Sequence, residues 1–371
     1  MKRLIGMALG GTLLLGGCEG SPLQALIQET FGQGQQLQTN AYVTEIAPGL
    51  PFPSPQLVFT PDGSRYAFIN HREDGRLYVG NSGQAPRGLG SHAQREPWFS
   101  PDGKRLAFAE IIPGGSQSSR WTIKSLEVDS KAVTQVAEAA LGHTPWLSWS
   151  PDGSTIIYAS DEDGDHQAES LNLVTLADPT PRRLGEIAPY PWDKARALWS
   201  PDGKEIAYLT KIPNFMNAYN LTIQTLADGK TRVLRRVPGQ NEFVWSSDGT
   251  AIAYLASESK SGDFTFHRIL VADGSEEVTP FSLGEPTEIR HGSELRGWAG
   301  FYASDLSPDL RYCLVRRGEE PIYARELATG RHIQLTDTLA WVRRWTADSK
   351  AIIASSTKLS LERYYRIQVE R

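Results

Sequence analysis

From residue 41 onward, apolar residues gather in short runs separated by Gly, Pro, Asp and Ser, and the helical spacing i, i+3, i+4, i+7 is absent. The runs repeat one phrase. FTPDGSRYAFIN begins at Phe59, FSPDGKRLAFAE at Phe99, WSPDGSTIIYAS at Trp149, WSPDGKEIAYLT at Trp199 and WSSDGTAIAYLA at Trp245. LSPDLRYCLVRR from Leu306 and WTADSKAIIASS from Trp345 are looser copies. Aligned on the opening residue, the copies read in columns. The opening column is large and apolar. Seven places on stand Tyr66, Leu106, Ile156, Ile206, Ile252, Cys313 and Ile352, and nine places on Phe68, Phe108, Tyr158, Tyr208, Tyr254, Val315 and Ala354. The column between them is also small or apolar, from Ala67 to Ile353. A strand with two apolar faces must be covered on both, which predicts small antiparallel sheets stacked face to face.

Spacing sets the unit. The openings lie 40, 50, 50, 46, 61 and 39 residues apart, close to the roughly 40–50 residues of one four-stranded propeller blade. Each copy continues in one order: a polar loop (HREDG, DEDGD), a second β-rich run (RLYVG, SLNLVTL, NLTIQTL, FHRILVA, PIYAREL) and a short outer run such as PRRLG or HIQLT. The excess in the gap of 61 reads as an insertion, roughly Glu276 to Ser304, on one loop of the fifth blade. The expected fold is all-β, a seven-bladed β-propeller over residues 41–371. Six blades is the alternative, because Leu310 and Ser349 replace the turn glycine in the last two copies.

The repeated Pro-Asp-Gly is turn chemistry: Pro presets φ, Asp bonds its own backbone and Gly accepts positive φ. Metal ligation or acid catalysis by Asp62, Asp102, Asp152, Asp202, Asp248, Asp309 and Asp348 is the other reading. Seven copies favour architecture, since one catalytic site needs one constellation.

The pattern apolar-Ser-Pro-Asp-Gly-x-x-Ile-Ala-Tyr, followed by a loop and an Ile-Tyr-type strand, resembles the TolB-type β-propeller repeat, a relative of the WD-repeat architecture. The resemblance implies the fold and leaves function open. TolB itself resembles a six-bladed propeller behind a separate α/β domain, for which this chain has no room. The ends also favour seven. After the seventh copy only YYRIQVER remains, so the last blade lacks an outer strand, while AYVTEIAP from Ala41 has no blade of its own. Pairing the two would close the ring and remove an exposed edge.

The first residues change the picture of location. MKRLIGMALGGTLLLGGC carries Lys2 and Arg3, an apolar stretch and Cys18, a secretion signal too short for a permanent span. Leu15-Gly16-Gly17-Cys18 resembles the lipobox of bacterial lipoproteins, which implies cleavage after residue 17 and lipidation of Cys18, with residues 18–40 as a flexible tether. The expected location is the bacterial cell envelope, lipid-anchored, periplasmic or cell-surface. Glu19 in place of Asp points to the outer membrane if the source is Gram-negative.

Net charge is −5, and loss of Lys2 and Arg3 makes it more negative, which argues against nucleic acid as a partner. With Cys18 lipidated, Cys313 has no partner and reads as a small core residue. Motifs for a nucleophile elbow, a zinc helix, a phosphate loop or Cys-based metal binding are absent, and no cofactor is expected. Asp161, Asp163 and Asp165 alternate as in calcium loops, but Gly164 is misplaced and no Glu closes the loop, so a solvated hairpin loop is favoured. Three places before each opening stand Gln56, Glu96, Trp146, Arg196, Glu242, Ala303 and Val342, expected to ring one mouth of the central channel. Arg95, Trp192, Trp298, Trp341 and Arg343 stand nearby. Such a rim suits a binding interface, while Trp146 could equally pack on a neighbour. The favoured function is a monomeric, non-enzymatic scaffold binding an envelope protein or exported peptide. A glycan binder and a propeller enzyme (hydrolase, lyase or cyclase) with dispersed His and acids are the alternatives.

Overall fold

The computed structural model describes residues 42–369 except 48–49, 51–56, 74, 94–96, 113–119, 141–145, 162–169, 189–196, 214–217, 239–242, 258–262, 283–286, 292–293, 300, 318–320, 337–340 and 359–360. Seven four-stranded antiparallel sheets follow one another along the chain. Blade 1 comprises Val58–Phe59, Arg65–Asn70, Arg76–Asn81 and Arg87–His92, and blade 2 Trp98–Phe99, Arg105–Ile111, Arg120–Glu127 and Val133–Ala140. Blade 3 comprises Leu147–Trp149, Thr155–Ser160, Ser170–Thr175 and Arg182–Glu186, and blade 4 Ala197–Trp199, Glu205–Lys211, Ala218–Thr225 and Thr231–Pro238. Blade 5 comprises Phe243–Trp245, Ala251–Ser257, Asp263–Leu270 and Glu276–Ser282, and blade 6 Phe301–Leu306, Tyr312–Arg317, Tyr323–Glu326 and His332–Gln334. Blade 7 takes Trp341–Trp345, Ala351–Lys358 and Leu361–Gln368 from the C-terminus and Val43–Glu45 as its outermost strand.

The two-faced strands of the repeat are the second strands, and their alternate residues face different neighbours. In blade 4, Ile206 and Tyr208 pack against Ile157 and Leu171 of blade 3. Ala207 and Leu209 pack against Trp245, Ile252 and Tyr254 of blade 5. Each such Ile buried is worth about 1.5–3 kcal/mol, so cohesion is spread evenly round the ring. The opening Trp residues add directed ties. The indole N–H of Trp149 donates to the Trp98 carbonyl at 2.9 Å, that of Trp245 to Leu198 at 3.2 Å and that of Trp199 to Ser148 at 3.4 Å, each reaching the inner strand of the preceding blade. Arg344 in blade 7 donates to the Phe59 carbonyl of blade 1 at 2.7 Å.

The turn aspartates are structural. Ser100 Oγ donates to Asp102 Oδ1 at 2.6 Å, Asp102 Oδ1 accepts the Lys104 N–H, and Ser100 Oγ accepts the Arg105 N–H. The hydroxyl-to-aspartate bond recurs in all seven copies. Leu310 and Ser349 adopt φ of 58° and 60°, in the region that Gly103 and Gly153 occupy in regular copies. The looser copies thus form complete blades, and the six-blade alternative falls. For Leu310 that backbone costs about 1–2 kcal/mol. At Ser349 the hydroxyl repays part of it by accepting the Asp309 N–H at 3.0 Å.

These bonds stabilise the charged carboxylate. Asp152, Asp202 and Asp348 lie below the ordinary range chiefly through the Ser150, Ser200 and Thr346 hydroxyls, and Asp248 falls to about 2, chiefly through Ser246. A depressed folded pKa contributes stability that is present above the unfolded value of about 3.9 and lost as pH falls through the folded one. The melting temperature should therefore hold above about pH 5 and drop between about pH 4 and pH 2, with a shallower drop in Asp248→Asn. A flat profile down to about pH 2 would contradict this.

The ring closes through the N-terminal strand, with Val43 opposite Ile367 and Glu45 opposite Tyr365. The insertion is narrower than its sequence suggests. Glu276–Ser282 is the outer strand of blade 5, and Phe301–Ser304 opens the inner strand of blade 6. Between them Thr287–His291 and Glu294–Ala299 pair as a separate hairpin. Glu276 pairs with Ile269 inside a continuous ladder, a register not visible in its polar sequence. Cys313 is wholly buried, and burial pushes its thiol up to about 12.

Candidate functional site

Antiparallel order divides the connections between two ends of the ring. One end carries the Pro-Asp-Gly turns and the tight turns between third and fourth strands. At this turn end neighbouring blades interlock: Ser247 N–H donates to the Pro308 carbonyl, and Ala347 N–H to Pro61. The other end carries the links between second and third strands, the links from blade to blade and the inserted hairpin. At this loop end, polar side chains of varied type follow one another along the sequence.

Gln56, Glu96, Arg196 and Glu242 lie outside the described residues, as do Cys18, Asp163 and Asp165. Arg95 and Trp192 do too, and the side chains of Trp298, Trp341 and Arg343 share that status. Trp146 directly precedes the inner strand of blade 3, is half-buried, and packs against the cluster containing Leu171, Ile187 and Tyr208. Part of its ring thus serves the joint between blades 3 and 4. Asp161 is buried and its N–H donates to the Ala140 carbonyl. Among the described residues no cluster of three or more His, Cys, Asp or Glu could hold a metal. None of their helices is long and apolar enough to cross a membrane.

Two blade-to-blade joints differ in a way the repeat makes comparable. Between blades 4 and 5, Tyr254 stacks on His267 at 4.4 Å between ring centres. Glu276 binds His267 Nδ1 at 2.9 Å and accepts from the Tyr254 hydroxyl at 3.4 Å. Arg235, from the outer strand of blade 4, reaches Glu276 at 2.6 Å. His267 Nε2 meets Thr265 Oγ1 at 2.8 Å. Burial, then the Glu276 charge, pushes the Tyr254 phenol up. His332 is also engaged, with its Nε2 accepting from Arg325 at 3.0 Å; burial, then that charge, holds it below the usual histidine value.

Between blades 3 and 4 the same positions hold smaller residues. Register places Thr222 opposite Tyr208 as His267 lies opposite Tyr254. It places Thr231 opposite Gln224 as Glu276 lies opposite Ile269, and Gly185 opposite Leu171 as Arg235 lies opposite Leu221. The result is an open cleft of about 810 Å³ lined by Arg183, Gly185, Tyr208, Thr210, Lys211 and Thr231, among others. Tyr208 is 3% exposed. Among the described residues its hydroxyl has no hydrogen-bond partner, and a Cβ on Gly185 would lie 3.5 Å from it. Burial alone pushes its phenol up. Thr210 and Thr222 share a hydrogen bond of 3.1 Å on the cleft wall. Sequence reasoning missed this cleft, because its signal is the absence of three side chains from columns defined by strand register.

Seven such sheets, ring-closed by the N-terminal strand, define a seven-bladed β-propeller. The TolB beta propeller domain matches residues 50–279, more than half of the sequence, and the chain belongs to that family. Dipeptidyl-peptidase 5 of Trichophyton schoenleinii and of Arthroderma benhamiae are each 36% identical over 104 residues, 28% of this chain and 13% of the relative. The match thus spans a small part of those relatives. Among solved structures, an oligogalacturonate lyase with manganese aligns over 91% of this chain and 96% of its own, with TM-score 0.60 and 13% identity. The oligogalacturonate lyase of Vibrio parahaemolyticus gives 91%, 93%, 0.58 and 11%. Kuenenia stuttgartiensis hydrazine synthase gives 96%, 100%, 0.53 and 14%. At these identities the likeness is one of fold.

Proposed function

We propose that this chain is a lipid-anchored envelope propeller that binds a protein or exported peptide at the loop end of its ring. One observation carries the reading: the two ends are built differently. At the turn end the aspartates and hydroxyls are consumed by the turns and neighbouring turns interlock. The varied connections and the inserted hairpin leave from the other end, and there the sequence supplies Gln56, Glu96, Arg196 and Glu242. Charged and aromatic side chains at such a rim are the usual material of binding hot spots. Cys18 tethers the propeller to the membrane through its lipid, and the acidic body leaves electrostatic lipid binding little role.

The test uses membranes carrying the full chain and a cross-linker. Cys18→Ser should move the protein to the soluble exported fraction. The triple variant Glu96→Ala, Arg196→Ala, Glu242→Ala should cut capture of the cross-linked partner by roughly thirtyfold with an unchanged melting temperature. Membrane retention of the Ser variant would remove the anchor. Wild-type capture by the triple variant would move the binding face elsewhere.

A further inference from the structure

We infer that the cleft between blades 3 and 4 is a binding site for a small hydroxylated carboxylic acid, of the size and chemistry of a sugar acid. The joint between blades 4 and 5 supplies the template. There the tyrosine hydroxyl donates to the carboxylate of Glu276, and the Arg235 guanidinium balances that carboxylate at 2.6 Å. At the joint between blades 3 and 4 the tyrosine is kept, while the carboxylate, the guanidinium and the histidine become Thr231, Gly185 and Thr222. Tyr208 is buried as a whole, but its hydroxyl is thereby left facing the open cleft without a protein partner among the described residues. A ligand that supplies an acceptor gives this hydroxyl the kind of partner that Glu276 gives Tyr254.

The ligand's chemistry follows from what is missing and what lines the space. Its carboxylate occupies the place that Glu276 fills next door and accepts from Tyr208. The charge Arg235 supplies there comes here from Arg183, which lines the same cleft; Lys211 lines it too but already has a partner of its own. Glu186 also lines the cleft and meets Arg183 at 4.0 Å, but its side chain is 86% exposed, so this pair is a weak competitor and its charge is screened by solvent. The hydroxyls of Thr210, Thr222 and Thr231 offer further donors and acceptors, which favours a ligand with hydroxyls over a bare dicarboxylate. A volume of about 810 Å³ accommodates such a molecule. This proposal does not rest on the loop-end interface and stands or falls without it.

The experiment is a titration of the folded chain with three probes, D-glucuronate, D-glucose and succinate, followed by calorimetry and by amide shifts. Glucuronate should saturate, and bind more tightly than either glucose or succinate. Tyr208→Phe should weaken glucuronate about tenfold. Thr231→Glu, an exposed position at which a carboxylate can enter from the chain itself, should abolish binding without lowering the melting temperature. Gly185→Arg should also abolish it, by placing a guanidinium over Tyr208. No saturation by glucuronate overturns the proposal. So does binding unchanged in both Thr231→Glu and Gly185→Arg, and so does glucose or succinate binding as tightly as glucuronate.

Discussion

A chain lacking residues 41–48 melts on the order of 10 °C below one lacking residues 19–38. The first deletion removes the outer strand of blade 7. Val43, Ile46 and Ala47 are 5%, 2% and 2% exposed, and burying a Val or Ile is worth about 1.5–3 kcal/mol. Backbone bonds go too: Gln368 N–H to Tyr42 at 2.9 Å, Ile46 N–H to Tyr364 at 2.9 Å, and Gly83 N–H to Ile46 at 3.0 Å. The last joins the closing strand to blade 1, so the deletion breaks a bond between blades as well as within one. Together these amount to about 5 kcal/mol, and one kcal/mol moves the midpoint of a domain this large by about 2 °C. The uncovered edge of Leu361–Gln368 would also promote association between molecules. Thermal melts and light scattering of the two truncations check both effects, and equal midpoints would show that the N-terminal strand adds nothing to closure.

Replacing Glu276 by Ala costs about 3 kcal/mol and opens a second cleft. Glu276 is the hub of a largely buried network in which its side chain is 12% exposed and that of His267 14%. Its removal leaves the Tyr254 hydroxyl, the His267 Nδ1 and the Arg235 guanidinium without their shared acceptor. The melting temperature should fall by about 5 °C. Added acetate should restore part of that loss in the variant and leave the wild type unmoved, since a free carboxylate fits the vacated place. Glu276→Gln, which keeps an acceptor oxygen, should fall between the two. A variant that melts like the wild type would mean that the network contributes little and that the tyrosine tolerates an open neighbour.

The columns of the repeat made the blades legible, because a strand buried on both faces writes its burial directly into its residues. Ile206, Ala207 and Tyr208 announce two neighbours before any fold is known. The missing outer strand after YYRIQVER announced its closure by residues near Val43 for a similar reason, as a count that did not balance. Three things stayed hidden. The direction of the indole ties depends on the stagger of adjacent blades, which no single column encodes. The bounds of the inserted hairpin were misplaced because Glu276–Ser282 is an outer strand exposed along nearly its whole length, where burial leaves no hydrophobic pattern. The cleft was hidden because its signal is missing side chains: Gly185 and Arg235 stand at equivalent places after Trp149 and Trp199, on strands with the same register shift, and only the stacking of blade on blade sets each beside a tyrosine. The place of Trp146 directly before an inner strand was legible, yet the packing of its ring against the next blade was open in sequence.

The closing strand has a consequence for biogenesis. Glu45 and Arg363, which meet at 3.2 Å, are 318 positions apart. The first strand of the ring to be synthesised is therefore the last to find its partner. Until the final residues arrive, six complete blades form an open stack, with one face of blade 1 and the stub of the seventh uncovered. Contacts between sequence-distant strands form slowly, and exposed edges of this kind are the usual origin of misassembly. During synthesis the first strand stays unpaired for that whole interval, an exposure that a propeller closed within its last few residues would not have.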